Sequence, residues 1–228
     1  SQKYKSETPK INLDNGSDLT IVIYSHGTTR PQKKENCTKS YNQIPKSLKI
    51  LTKAENTYFY YLCSTAIDAG TTGSYIYKRK KEINKILDQL IEKSVNPQNI
   101  FLTGFSAGGW TSLMMMDEVE KKFNSAIVFA PAFAGRRSET NKYPHWRKVE
   151  RPRQVKKMTE VKAVKALIFA YEDDAFNRPE ELNFLKEKYP DTVDLVGYKC
   201  GKGHNTAHND CKLSKTKKII ENYFQNSK

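Results

Sequence analysis

Ile100-Phe101-Leu102-Thr103-Gly104-Phe105-Ser106-Ala107-Gly108-Gly109-Trp110 decides how this chain is read. A short apolar strand runs through Gly-x-Ser-x-Gly into a segment free of proline and glycine from Trp110 to Glu120, and Asn96-Pro97-Gln98-Asn99 supplies a turn before it. Strand, glycine-flanked serine and helix together make a nucleophile elbow. A serine at so sharp a turn sits in strained backbone, and the glycines two residues to either side leave room for neighbouring elements to pack closely. The turn lifts the Ser106 hydroxyl clear of the sheet and faces it with the first free N–H groups of the following helix. Without the strand and helix around it, a glycine-flanked serine is only a turn.

A serine hydroxyl is a poor nucleophile at neutral pH, so the elbow predicts a histidine to take its proton and a carboxylate to orient that histidine. Both are expected downstream, each in a loop after a later strand. Ala166 to Tyr171 reads as a buried strand and runs straight into Glu172-Asp173-Asp174, followed by Arg178-Pro179-Glu180-Glu181, which has the character of a helix start. A second strand, Thr192 to Tyr198, leads into Cys200-Gly201-Lys202-Gly203-His204, 30 positions beyond Asp174, which leaves room for one helix and one strand between acid and base.

These stretches, with Tyr24-Ser25-His26-Gly27 after an apolar strand, resemble the α/β-hydrolases over most of the chain. The similarity is nearest to the small dienelactone-hydrolase and esterase branches, including feruloyl-esterase-like and polyhydroxyalkanoate-depolymerase-like enzymes. Laying the usual proline of the acid loop on Pro179 puts the acid on Asp174; a shift of one gives Asp173, with Glu172 a remote alternative. Tyr171 stands where a glycine commonly precedes the acid. The resemblance implies a Ser106–His204–Asp174 triad, and an oxyanion hole formed by the backbone N–H groups of Ala107 and Thr28. His26 is expected to shape the loop by hydrogen bonding. No cofactor is implied. His204 and His208 are four apart, but the segment lacks the glutamate of a zinc hydrolase helix, so no metal site is expected; His208 is read as a polar helix-start or surface residue and His145 as a surface one.

Strands at Leu19 to Tyr24, Thr57 to Leu62 and Ser125 to Ala130 alternate with helices at Tyr75 to Lys93, Pro179 to Tyr189 and Leu213 to Phe224. Ile76, Ile83, Ile86, Leu87, Leu90 and Ile91 share one face of the first helix, as a helix lying on a sheet requires. The expected architecture is α/β: a mostly parallel central sheet with helices on both faces, shortened strands at the amino end, and the site at the carboxyl ends of the strands. The 228 residues contain no repeat or linker and are read as one domain, with residues 133–165 as a cap or extended loop. That insertion is basic and carries aromatic residues, suited to gripping an anionic or aryl acyl group. Trp146 within it and Trp110 after the elbow are expected to touch substrate, and loop Ser64 to Ser74, with Asp68, to wall the pocket.

With 39 Lys and Arg against 25 Asp and Glu, the formal net charge is +14. Such charge attracts nucleic acid or anionic surfaces. The lysines are scattered, however, with no recognition helix, RNP-type strand or zinc-finger spacing, and no nucleic-acid partner is expected. Cys37, Cys63, Cys200 and Cys211 fall into two pairs, each joining regions that the α/β-hydrolase fold brings together. Two disulfides would indicate a periplasmic or secreted protein, with the given sequence a mature form; the alternative is four reduced thiols in a cytoplasmic enzyme. No apolar run is long enough to span a membrane, so no stable membrane insertion is expected. The expected activity is carboxylic ester hydrolysis through an acyl-enzyme, on a small-molecule or polymeric ester. Amide or peptide hydrolysis on the same fold is the alternative, and a non-catalytic basic binding protein a more distant one.

Overall fold

The computed structural model describes residues 13–28, 37, 39–64, 66, 73–133, 135–139 and 141–228. Six strands form one sheet: β1 (Thr20–Ser25), β2 (Thr57–Leu62), β3 (Ile100–Phe105), β4 (Ser125–Phe129), β5 (Ala166–Tyr171) and β6 (Val193–Tyr198), in the order β2-β1-β3-β4-β5-β6. Every adjacent pair is parallel. The helices are α1 (Ser74–Glu92), α2 (Ala107–Met114), α3 (Arg151–Glu160), α4 (Pro179–Lys188) and α5 (Leu213–Ser227).

The four central strands are apolar nearly throughout because both faces of the sheet are covered. Side chains alternate between two cores, as the period of a strand dictates. Ile21, Ile23, Ile100, Leu102, Ala126, Val128 and Ile168 join one core with Ile83 and Leu87 of α1, Leu113 of α2 and Leu182 of α4. Val22, Tyr24, Phe101, Phe105, Ile127, Phe129, Leu167 and Phe169 join the other with Leu48, Leu51, and Ile220 and Phe224 of α5. Fully burying side chains of this size stabilises by about 1.5–3 kcal/mol each, which is what drives the sheet to be sandwiched.

The chain leaves β1 for β2 on one side, crosses back through α1, and adds β3 on the other side of β1. Strand order therefore reverses between β1 and β3, and the crevice beyond their carboxyl ends is where a doubly wound sheet holds its ligand. Ser25 pairs in register with Gly104, so the His26-Gly27-Thr28 loop and Ser106 leave the sheet side by side.

The structure adds detail to two stretches of the sequence. The segment 133–165 contains helix: a wide, π-type turn at Trp146–Glu150 continues into α3, with Pro152 at the junction of the two. The helix after the elbow ends at Met114, short of Glu120, and passes into a 3-10 turn over Met116–Glu118. Residues 1–12, where a shortened amino-terminal strand would fall, lie outside the described residues.

Candidate active site

Ser106 is the last residue before α2 and has φ +54° and ψ −118°, in the left-handed half of backbone space that a residue with a Cβ rarely adopts. Its N–H donates to the Phe129 carbonyl at 3.0 Å, extending the β3–β4 ladder past the strand end. The elbow glycines are required by contact. A Cβ on Gly104 would sit 2.4 Å from the Gly108 carbonyl carbon, and one on Gly108 would sit 1.9 Å from the Ser25 carbonyl oxygen. Only bare backbone lets α2 start this close to β1 and β3.

Three side chains meet at the strand ends. The Ser106 hydroxyl lies 2.8 Å from His204 Nε2, and His204 Nδ1 lies 2.8 Å from Asp174 Oδ2. An ionised carboxylate can only accept, so Nδ1 carries the proton and Nε2 is left to accept from the serine. Asp174 is fully buried, and its Oδ1 accepts the Phe176 N–H at 2.7 Å. The His204 ring stands between Phe105 and Phe176, with centroids 5.0 and 4.5 Å away, so its plane is set by packing as well as by hydrogen bonds. Asp173, the alternative acid, faces elsewhere: its Oδ2 accepts the Gly203 N–H at 2.7 Å and anchors the start of the histidine loop.

Ala107 is the first residue of α2, so its N–H has no acceptor within the helix. Thr28 lines the same cavity as Ser106, and its hydroxyl is 3.0 Å from the Tyr75 hydroxyl. His26 is buried beneath this loop, with Nδ1 donating to the Gly27 carbonyl at 2.7 Å and Nε2 accepting the Ser64 N–H at 3.0 Å. Burial, with the Arg79 charge beside it, lowers the His26 pKa to about 3 and keeps the ring neutral.

The cavity over Ser106 has a volume of about 380 Å³. Phe133, Tyr143 and Phe176 supply aromatic wall, and Arg136 and Glu139 a charged rim. The tryptophans expected to touch substrate do not line it. Trp110 is fully buried and donates through Nε1 to Gln154 at 2.7 Å, while Trp146 is buried behind Phe133, ring centroids 3.7 Å apart. Both belong to the core that roots the 133–165 segment on the sheet. His208 is half-buried at the end of a 3-10 turn: it packs edge-on against Phe105 at 4.6 Å, and burial first, then His204 beside it, lowers its pKa to about 4. Asp68 lies outside the described residues.

The residue that sequence reasoning missed is Arg79, almost wholly buried under the His26-Gly27 loop. Its signal was present: position 79 falls three after Ile76 and four before Ile83, on the apolar stripe of α1. Cys37 pairs with Cys63 and Cys200 with Cys211, with Cα atoms 5.9 and 6.1 Å apart, the pairing expected. His26, Cys37 and Cys63 bring ligand-type atoms within 4.8 Å of one another, but the two sulfurs are bonded to each other and offer no thiolate.

An elbow serine at the switch point of a parallel sheet is the architecture of the α/β-hydrolase fold, which this chain adopts. Within it, residues 45–150 match the family described as Phospholipase/Carboxylesterase. Among solved structures, Arabidopsis thaliana SOBER1 is similar at 18% identity and TM-score 0.55, over 92% of this chain and 99% of that one. The monoacylglycerol lipase of Paleococcus ferrophilus is similar at 16% identity and TM-score 0.62, over 91% and 95%. Esterase 2 of Thermogutta terrifontis, in a structure phosphoramylated by tabun, gives 15% identity and TM-score 0.60 over 97% and 87%. At such identities the likeness is one of fold. A search of curated proteins finds no match. The family match and the fold together support an ester hydrolase in general terms.

Proposed function

We propose that this protein is a serine hydrolase of carboxylic esters, with Ser106 as nucleophile, His204 as general base and acid, and Asp174 as the group that holds the histidine tautomer. The observation that carries the reading is the unbroken run of two 2.8 Å contacts from an elbow serine to a buried carboxylate. Ser106 Oγ attacks the ester carbonyl carbon as its proton passes to His204 Nε2. The tetrahedral oxyanion is held by the N–H groups of Thr28 and Ala107. Collapse expels the alkoxide, which takes the proton from Nε2 and leaves as alcohol. Water then attacks the acyl-enzyme, giving its proton to Nε2; the carboxylic acid departs and Ser106 recovers its hydrogen.

A cavity of about 380 Å³ with aromatic walls suits a short or aryl acyl group, and the exposed Arg136 guanidinium on its rim suits an acyl group bearing a carboxylate. Two disulfides favour an oxidising compartment, periplasmic or extracellular. Among the described residues no helix is long and apolar enough to cross a membrane.

The test is a panel of p-nitrophenyl, feruloyl and long-chain esters beside aminoacyl amides, run with wild type and Ser106→Ala. Short or aryl esters should turn over fastest and Ser106→Ala should be inactive on all. Preference for amides would replace the ester reading with the peptidase one.

A further inference from the structure

Arg79 has no carboxylate at ion-pair distance among the described residues, yet its side chain is almost wholly removed from water. The Glu82 charge acts on it from beyond ion-pair distance, and a buried cation held that way needs hydrogen-bond acceptors set around it in a specific way. Main-chain oxygens supply them. Nη1 donates to the His26 carbonyl, and Nη2 donates to the Gly27 carbonyl at 2.9 Å and lies 3.3 Å from His26 Nδ1. The guanidinium also lies 5.8 Å from the ring centroid of Tyr75, one turn before it in α1, whose hydroxyl reaches Thr28 Oγ1.

The two carbonyls belong to consecutive peptide units, and in a trans peptide the N–H points opposite to the C=O. Turning the His26 and Gly27 carbonyls into the protein, toward Arg79, turns the Gly27 and Thr28 N–H groups outward, toward the cavity above Ser106. The fork of the guanidinium suits this task, since two of its nitrogens can bind adjacent carbonyls in one fixed plane, which an ammonium cannot do. Its charge also polarises both peptides, making their N–H groups stronger donors.

We infer that Arg79 is a positioning residue for the oxyanion hole: from beneath the loop it fixes the peptide whose Thr28 N–H receives the developing negative charge. This rests on the serine-hydrolase reading above and adds to it a group that never touches substrate. His26 Nδ1, on the same Gly27 carbonyl, works alongside it. Arg79 thus acts on the transition state and leaves ground-state binding nearly alone.

Arg79→Met, Arg79→Gln and Arg79→Lys, each checked for native circular dichroism, are compared with wild type on an aryl ester and its thionoester. Sulfur accepts hydrogen bonds poorly and fits an oxygen-sized hole badly, so thionoester turnover reports the site without its oxyanion donors. Removing one such donor outright costs about 10²–10³-fold in kcat. Loosening one should cost about 10–100-fold for Arg79→Met on the oxygen ester, with KM within about threefold, and less on the thionoester. Arg79→Lys should fall between Arg79→Met and wild type. Equal losses on both esters, a kcat within twofold of wild type, or failure of all three variants to fold would each overturn the positioning role. Ser106→Ala separates the two claims: if it is inactive while Arg79→Met is not impaired, only this inference fails, and if it stays active the hydrolase reading fails as well.

Discussion

Asp173 and Asp174 are adjacent carboxylates with different partners, and the difference assigns their work. Asp174 meets His204 Nδ1, whereas Asp173 holds the Gly203 N–H. Asp174→Asn should lower kcat about 10³–10⁴-fold, because an amide favours the tautomer that puts the proton on Nε2. Asp173→Asn should cost under tenfold, as a loosened loop would; steady-state kinetics of both variants checks the ranking. His208 titrates against stability rather than for catalysis. Its native pKa of about 4 lies below the ordinary 6.5, so the unfolded chain binds the proton first. Stability from this group is full above about pH 6.5 and is lost as pH falls toward 4, at no more than about 1.4 kcal/mol per pH unit. His26, with a native pKa of about 3, adds to the same slope and extends it lower. His208→Phe, which keeps the packing on Phe105, should flatten the dependence of Tm on pH between 6.5 and 4, read by calorimetry. The residues of the site were legible where the chemistry demands a spacing or an order: the elbow, the acid after one strand, the histidine after the next. Depth was not legible. Trp110 and Trp146 could have faced substrate or core, and only tertiary packing places them behind Phe133.

At the scale of elements, the junction of β3 and α2 sets everything else, because the close approach of Gly108 to the end of β1 brings the elbow against the His26-Gly27-Thr28 loop. Gly108→Ala should destabilise by on the order of 3 kcal/mol or more, since its methyl would overlap the Ser25 carbonyl and backbone cannot yield as a side chain can. Urea unfolding should show the lower midpoint, with activity lost in step. Five of the strands were readable from their apolar runs to within a residue at either end, the elbow strand β3 from its apolar start although it runs on through Gly104 to Phe105, and α1 from its stripe of isoleucine and leucine. α3 was not, for physical reasons: Val155 and Met158 are its only apolar side chains, set among Arg151, Arg153, Lys156 and Lys157. Its helix is held by what it covers. Gln154 reaches the Trp110 indole, and Glu150, just before the helix, accepts from Tyr77 of α1.

Across the whole molecule the two disulfides bracket the site. Cys37–Cys63 ties the segment after the oxyanion loop to the end of β2, and Cys200–Cys211 closes a short loop around His204. Each should contribute on the order of 3 kcal/mol by restricting the unfolded chain. Reduction should therefore lower Tm, and reopening the His204 loop should lower kcat in parallel; mass spectrometry after alkylation without reductant, finding no modified cysteine, verifies the starting state. The net charge of +14 is spread over this scaffold, where it favours approach of anionic substrates without defining one. The sheet order, the elbow and the buried acid converge on one claim, that Ser106 is a nucleophile activated by His204. Labelling with a fluorophosphonate probe, followed by peptide mapping, tests it directly. Wild type should take up one equivalent, on Ser106, with His204→Ala slowed by several orders of magnitude and Ser106→Ala unlabelled. Labelling that persists at the wild-type rate in Ser106→Ala, or that maps to another residue, would contradict the account.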